Sequence, residues 1–143
     1  MENREELFTE ILKRVQRNYV HIVEIERITK EMADALSRND QESVQLLIKM
    51  RQDELERFME AKHEIQMLIG VGGEDKEKLK SWLNGESKYQ PKEFGEKKIL
   101  ELSCQLQQAL KRTIDIDKVF NSRVAGKDSY YQAAHLRAAD IIE

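Results

Sequence analysis

Apolar residues recur every three or four positions along three long stretches of this chain, with polar residues between them. In the first stretch Phe8, Leu12, Val15, Tyr19, Ile22, Ile25, Met32 and Leu36 keep that step, and Thr29 fills the one polar gap. This is the stripe of a long amphipathic helix with a coiled-coil-like seam, expected over residues 2–37. Such a helix would span roughly 50 Å and needs equally long partners to bury its stripe. The stretch "SRNDQES" breaks the pattern. Asn39 or Asp40 can cap the next helix, because a short side-chain oxygen accepts from a free amide. Glu42 follows Asn39 by three, the spacing of a capping box.

The second helix is expected over residues 40–69, with Val44, Leu47, Ile48, Leu55, Phe58, Ile65 and Leu68 on its seam. So short a connection makes the first two helices an antiparallel hairpin. "GVGG" ends the second helix, with Gly70 free to take the left-handed cap conformation. "EDKEKLKSWLNG" reads as a short helix closed by Asn84 and Gly85 and anchored by Trp82 and Leu83. Pro91 suits the first turn of a third long helix, where its missing amide costs nothing. Phe94, Ile99, Leu102, Leu106, Leu110, Ile114, Phe120 and Val124 carry that helix to Ala125, and Gly126 stops it. The expected fold is all-α: an antiparallel bundle of three long helices in residues 1–125, with a short helix in the second linker. Residues 126–143 form a C-terminal tail or a short amphipathic helix.

Composition agrees with that pattern. Among 143 residues, 36% are charged, 6% are aromatic and one is proline, which marks a nearly all-helical chain. The 24 basic and 27 acidic side chains nearly cancel, so there is no electrostatic footprint for nucleic acid or an anionic membrane. Cys104 is the single cysteine, which excludes an internal disulfide and fits a reducing compartment. The opening "MENREELFTE" is charged where a signal peptide is apolar. The longest apolar run, "MLIGVGG", is far shorter than the roughly 20 residues of a membrane span. A soluble cytoplasmic protein is expected.

Few residues point to chemistry. Glu60 and His63 share a helical face in the spacing used by di-iron bundles, but the motif occurs once where two copies are needed, so a solvated face is expected. "GVGG" follows a helix, whereas phosphate loops join a strand to a helix start. Cys104 reads as a small buried hydrophobe. Asp115 and Asp117, two apart, do not face each other and read as solvated. Arg51 falls in step with Leu47, Leu55 and Phe58, so a guanidinium borders the seam. It either grips an anion in a helical enzyme, or reaches an acidic neighbour such as Glu54, Glu56 or a residue of the first helix. The second reading is preferred. No cofactor, metal or catalytic set is expected.

Two of the four tyrosines, Tyr130 and Tyr131, stand side by side after the third helix. Tyrosine offers a large apolar face with a polar tip, which suits an interface. The pair can serve as a docking element or fold back over the end of the seam. In a mixed case the tail, with Leu136, Ile141 and Ile142, occupies the bundle groove until a partner helix displaces it.

"ALSRNDQESVQLLIKMRQDELERFMEAKHEIQMLI" resembles the hairpin of flagellar export chaperones of the FlgN and FliT kind. Leu47, Ile48, Arg51 and Leu55 take the places of that family's apolar-apolar-x-x-Arg-x-x-x-apolar helix. "LQQALKRTIDIDKVFNSRV" is similar in style to its last long helix, with Asn121 near the end. The resemblance covers roughly residues 5–125, and the long second linker tilts it toward FlgN. It implies a non-catalytic cytoplasmic chaperone that captures the amphipathic C-terminal helix of hook–filament junction subunits, or of the filament cap in the FliT case, and delivers it to the membrane export gate. It also implies that Tyr130 or Tyr131 docks at the gate. The residues so marked for partner binding are Tyr130, Tyr131, Leu136, Ile141, Ile142, Phe120, Val124 and Arg51. A homodimer through the same seam, without a client, stays open.

Overall fold

The computed structural model describes residues 3–125. Among them all regular structure is helical: α1 (Arg4–Ser37), α2 (Gln41–Gly70), a 3-10 turn (Gly73–Asp75), α3 (Lys76–Leu83) and α4 (Phe94–Ala125). No helix of the described residues is long and apolar enough to cross a membrane. The described residues divide into two compact units, 3–20 with 60–108 and 21–59 with 109–125. Each long helix contributes one part to either unit.

In unit 1, Leu7, Phe8, Ile11 and Val15 of α1 pack with Ile65 and Ile69 of α2, Leu79 and Trp82 of α3, and Ile99 of α4. Trp82 meets Phe8 edge-to-face, with centroids 6.4 Å apart, the geometry that ring quadrupoles favour. Its indole Nε1 donates to the Tyr89 carbonyl at 2.7 Å, which ties down the loop before α4. Arg4 fixes the polar side. Its guanidinium lies 4.3 Å over the Phe8 ring, and it donates to Asp75 at 2.9 Å, to Glu93 at 3.2 Å and to Glu96. Glu96 in turn caps its own helix, accepting the amides of Lys92 at 2.8 Å and Glu93 at 3.3 Å.

In unit 2, Ile28, Met32, Ala35 and Leu36 of α1 pack with Val44, Leu47 and Ile48 of α2 and with Phe120 and Val124 of α4. The turn joining α1 to α2 has no spare residue. Asn39 takes a positive φ of 59°. Its amide bonds Leu36 O at 3.1 Å, and the Asp40 amide bonds Ala35 O at 2.9 Å, which is the Schellman pattern. Asp40 then caps α2, accepting from the Ser43 amide at 3.1 Å and the Ser43 hydroxyl at 2.6 Å. The same pattern closes α3: Gly85, with φ 76°, bonds Trp82 O at 2.9 Å, and Glu86 bonds Ser81 O at 3.0 Å.

Several local expectations shift. The left-handed glycine after α2 is Gly73, with φ 55°, rather than Gly70. Pro91 is buried three residues before α4 begins, because Glu93 takes the cap position and its carbonyl accepts from Lys97 at 3.0 Å. Phe94 therefore opens the helix and is 74% exposed instead of lying in the seam. Leu12 and Tyr19 are half-buried, while Ile11 and Asn18 hold the fully buried places beside them. Cys104 is partly exposed, its Sγ 3.5 Å from Gly85 O.

Two substitutions test this capping. Asp40→Ala removes the cap of α2 and is expected to cost about 1 kcal/mol in urea denaturation. Gly85→Ala meets no hard contact but forces a side chain into left-handed backbone, for about 1–2 kcal/mol. Loss of neither stability would show that the caps do not hold these turns.

Candidate functional site

The seam of α2 carries one charge. Val44, Leu47, Ile48, Arg51, Leu55 and Phe58 are all buried along one face, and Arg51 is only 1% exposed. Its Nη1 donates to Asp117 Oδ1 of α4 at 2.8 Å and weakly to Thr29 Oγ1 of α1 at 3.4 Å. The Thr29 hydroxyl donates to Ile25 O at 2.7 Å, which leaves its oxygen free to accept. Asp117 is 2% exposed. Arg51 is thus not a side chain reaching out from the seam edge to Glu54 or Glu56, and Asp117 is not solvated. Position sets the difference. Asp115 and Asp117 do point to different sides of α4, as their spacing requires, but only Asp115 points to solvent.

Glu54 is held by other groups, His21 Nδ1 and Arg57 Nη1, each at 2.9 Å. Arg112 of α4 reaches Glu26 of α1 with two bonds, at 2.9 and 3.2 Å. That guanidinium, opposed by partial burial, holds the Glu26 carboxyl below its ordinary value of 4.5. Glu96 in unit 1 is also held below 4.5. Burial acts against its ionisation, and the Arg4 guanidinium with the amides of Lys92 and Glu93 outweighs it.

The residues marked for partner binding fall into two groups. Tyr130, Tyr131, Leu136, Ile141 and Ile142 lie outside the described residues. Phe120, Val124 and Arg51 are inside the core of unit 2 at 0, 1 and 1% exposure, so a partner would touch them only after the core opened. Asn121 is half-buried, and its Nδ2 has no hydrogen-bond partner among the described residues. Glu60 and His63 are both exposed, and no group of three metal-ligating side chains gathers among the described residues.

The surface instead offers apolar side chains that lie off the seam. In unit 2, Leu46 and Met50 stand one turn apart on α2 at 60 and 37% exposure. Leu46 borders an open groove with Glu31, Asp34, Arg38 and Ser43. Val23, Met59 and Val119 are exposed as well. Their signal in the sequence was being apolar while out of step with the seam.

No family model, curated protein or solved structure matches this chain.

Two outcomes follow from the charges. Arg51→Met alone strands a buried carboxylate and is expected to cost about 3–5 kcal/mol, whereas Arg51→Met with Asp117→Leu recovers most of it. A double-mutant cycle by denaturation measures the coupling. For Glu26 and Glu96, a folded pKa below the unfolded one stabilises fully above pH 4.5 and is lost as pH falls through the folded value. Unfolding followed from pH 7 to 3 should show an acid loss of stability that Glu26→Gln and Glu96→Gln each flatten. An unchanged slope would remove these carboxylates from the acid response.

Proposed function

We propose that this chain is a non-catalytic helix-binding module, a chaperone of the flagellar export type on the FlgN side. Its long helices form an antiparallel three-helix bundle. The client is the amphipathic C-terminal helix of a hook–filament junction subunit, delivered in the cytoplasm to the membrane export gate.

The observation that carries the reading lies on α2 in unit 2, where the apolar side chains of Leu46 and Met50 stand one turn apart and exposed. Such a strip of aliphatic and methionine side chains suits an adaptable partner helix. The buried pairing of Arg51 with Asp117 supports it from the other side. A guanidinium already matched to a carboxylate in an apolar core is poorly placed to grip a substrate anion, which weakens the helical-enzyme alternative. The tail tyrosines keep their proposed role at the gate.

Calorimetric titration of the full chain with C-terminal helices of junction subunits tests this, with the filament-cap helix as control. One-to-one binding of the junction helix is expected. Binding of the cap helix alone would move the function to the FliT side. Binding of neither, with a stable homodimer in sedimentation, would replace the proposal with a self-pairing structural role. Removing the residues after Gly126 is expected to raise client affinity if the tail competes for the groove; equal or weaker binding would reject that competition.

A further inference from the structure

The turn that closes α3 holds the one Asn-Gly pair of the chain, Asn84 and Gly85. An asparagine followed by glycine is prone to lose its side-chain ammonia without an enzyme, because a residue with no Cβ leaves its amide nitrogen unhindered. In that reaction the glycine nitrogen gives up its proton to a base of the solvent and attacks Cγ of the asparagine. The C–N bond of the side-chain amide breaks, the leaving nitrogen takes up protons and departs as ammonia, and a succinimide ring remains. Water then opens the ring at either carbonyl, which gives aspartate or isoaspartate. Nothing is oxidised or reduced, and water is the one co-reactant.

Asn84 is exposed, so water and base reach it. The fold nevertheless opposes the first step in two ways. The Gly85 amide donates to Trp82 O at 2.9 Å, so the proton that must leave is held in a hydrogen bond. Ring closure also needs the Gly85 nitrogen to eclipse Cβ of Asn84, and the Asn84 ψ of 3° keeps the two far from eclipsed. The bonds that maintain this geometry are local. The Glu86 amide donates to Ser81 O at 3.0 Å, the Ser81 hydroxyl donates to Glu86 O at 3.2 Å, and Cys104 Sγ of α4 donates weakly to Gly85 O at 3.5 Å. They close a helix of 8 residues. A helix so short does not hold itself in water, and a helix end opens at less cost than the core behind it.

We propose that Asn84 is a deamidation site gated by the turn that closes α3: the side chain is protected while the turn is closed and cyclises onto Gly85 when the turn opens. The product makes the opening permanent. Isoaspartate adds a methylene to the main chain, so the amides of Gly85 and Glu86 no longer reach Trp82 O and Ser81 O together. The same loop runs on to Tyr89, whose carbonyl accepts the Trp82 indole, so a change at an exposed residue loosens the hold on a buried ring. The protein thereby keeps a covalent record of how often this turn has opened, whatever partner it binds.

The test incubates the full chain in mildly alkaline buffer, folded and unfolded in urea at the same pH, and follows residue 84 by peptide mass mapping. The folded chain should deamidate at least about tenfold more slowly, because only the open fraction reacts. Ser81→Ala removes one bond of the turn and leaves the Asn-Gly pair intact. It should raise the rate in the folded chain and leave the rate in urea unchanged. Exchange of the Gly85 amide hydrogen, read by NMR, should quicken by the same factor while the Ile99 amide of the core stays protected, which separates opening of the turn from unfolding. In the native chain, graded urea below the unfolding transition should raise deamidation and Gly85 exchange together, a readout that does not depend on how the variant folds. Equal rates in the folded and unfolded chain, an intact Asn84 in urea, or deamidation that does not follow Gly85 exchange would each overturn the proposal.

Discussion

The pairing of Arg51 with Asp117 is the constraint on which unit 2 is built. Two charges taken out of water are costly, and their attraction offsets the loss only when geometry holds them together. At 2.8 Å, with Thr29 beside them, they are so held. The consequence is register. A shift of α2 or α4 by one turn would part the buried cation from its carboxylate, whereas apolar contacts such as those of Ile28, Met32, Val44 and Phe120 in the same unit discriminate less between registers. Apolar packing supplies most of the stabilisation here, and the ion pair selects one arrangement from those that packing allows.

Unit 1 meets the same need with charge at its margin. Arg4 gathers a 3-10 turn, the cap of α4 and an aromatic ring of its own helix into one cluster. Its guanidinium is partly solvated, so each bond is worth less than in a core. The arrangement compensates by joining several elements at once. Because Glu96 serves both Arg4 and the amides of the α4 start, the ion cluster and the helix cap stand or fall together.

The long helices were legible because apolar periodicity is a property of the sequence alone. Their seam was legible only in part. The buried positions of α1 step by four and three through Ile11, Val15, Asn18, Ile22, Ile25, Thr29, Met32 and Leu36. Asn18 hid that regularity, since an amide does not announce a core position, and Leu12 and Tyr19 drew the stripe one residue aside. Phe94 misled in another way: it is five residues from Ile99, a step that turns about 140° around the helix at roughly 100° per residue. The Arg51 pairing could not be read because its partner is 66 residues away, and spacing rules speak only of neighbours on one helix. The tail on which the docking expectation leaned lies outside the described residues. The chaperone reading therefore rests on exposed side chains such as Leu46 and Met50.

The single tryptophan of the chain, Trp82, is buried in unit 1, with its ring against Phe8 and its indole amine on Tyr89. Its emission is therefore a private reporter of that unit. Backbone circular dichroism, by contrast, sums the helices of both. The two signals, taken on one sample during heating, give separate clocks for the two halves of each long helix. Coincident curves would mean that α1, α2 and α4 melt end to end as single rods, and a lag would mean that one half outlasts the other.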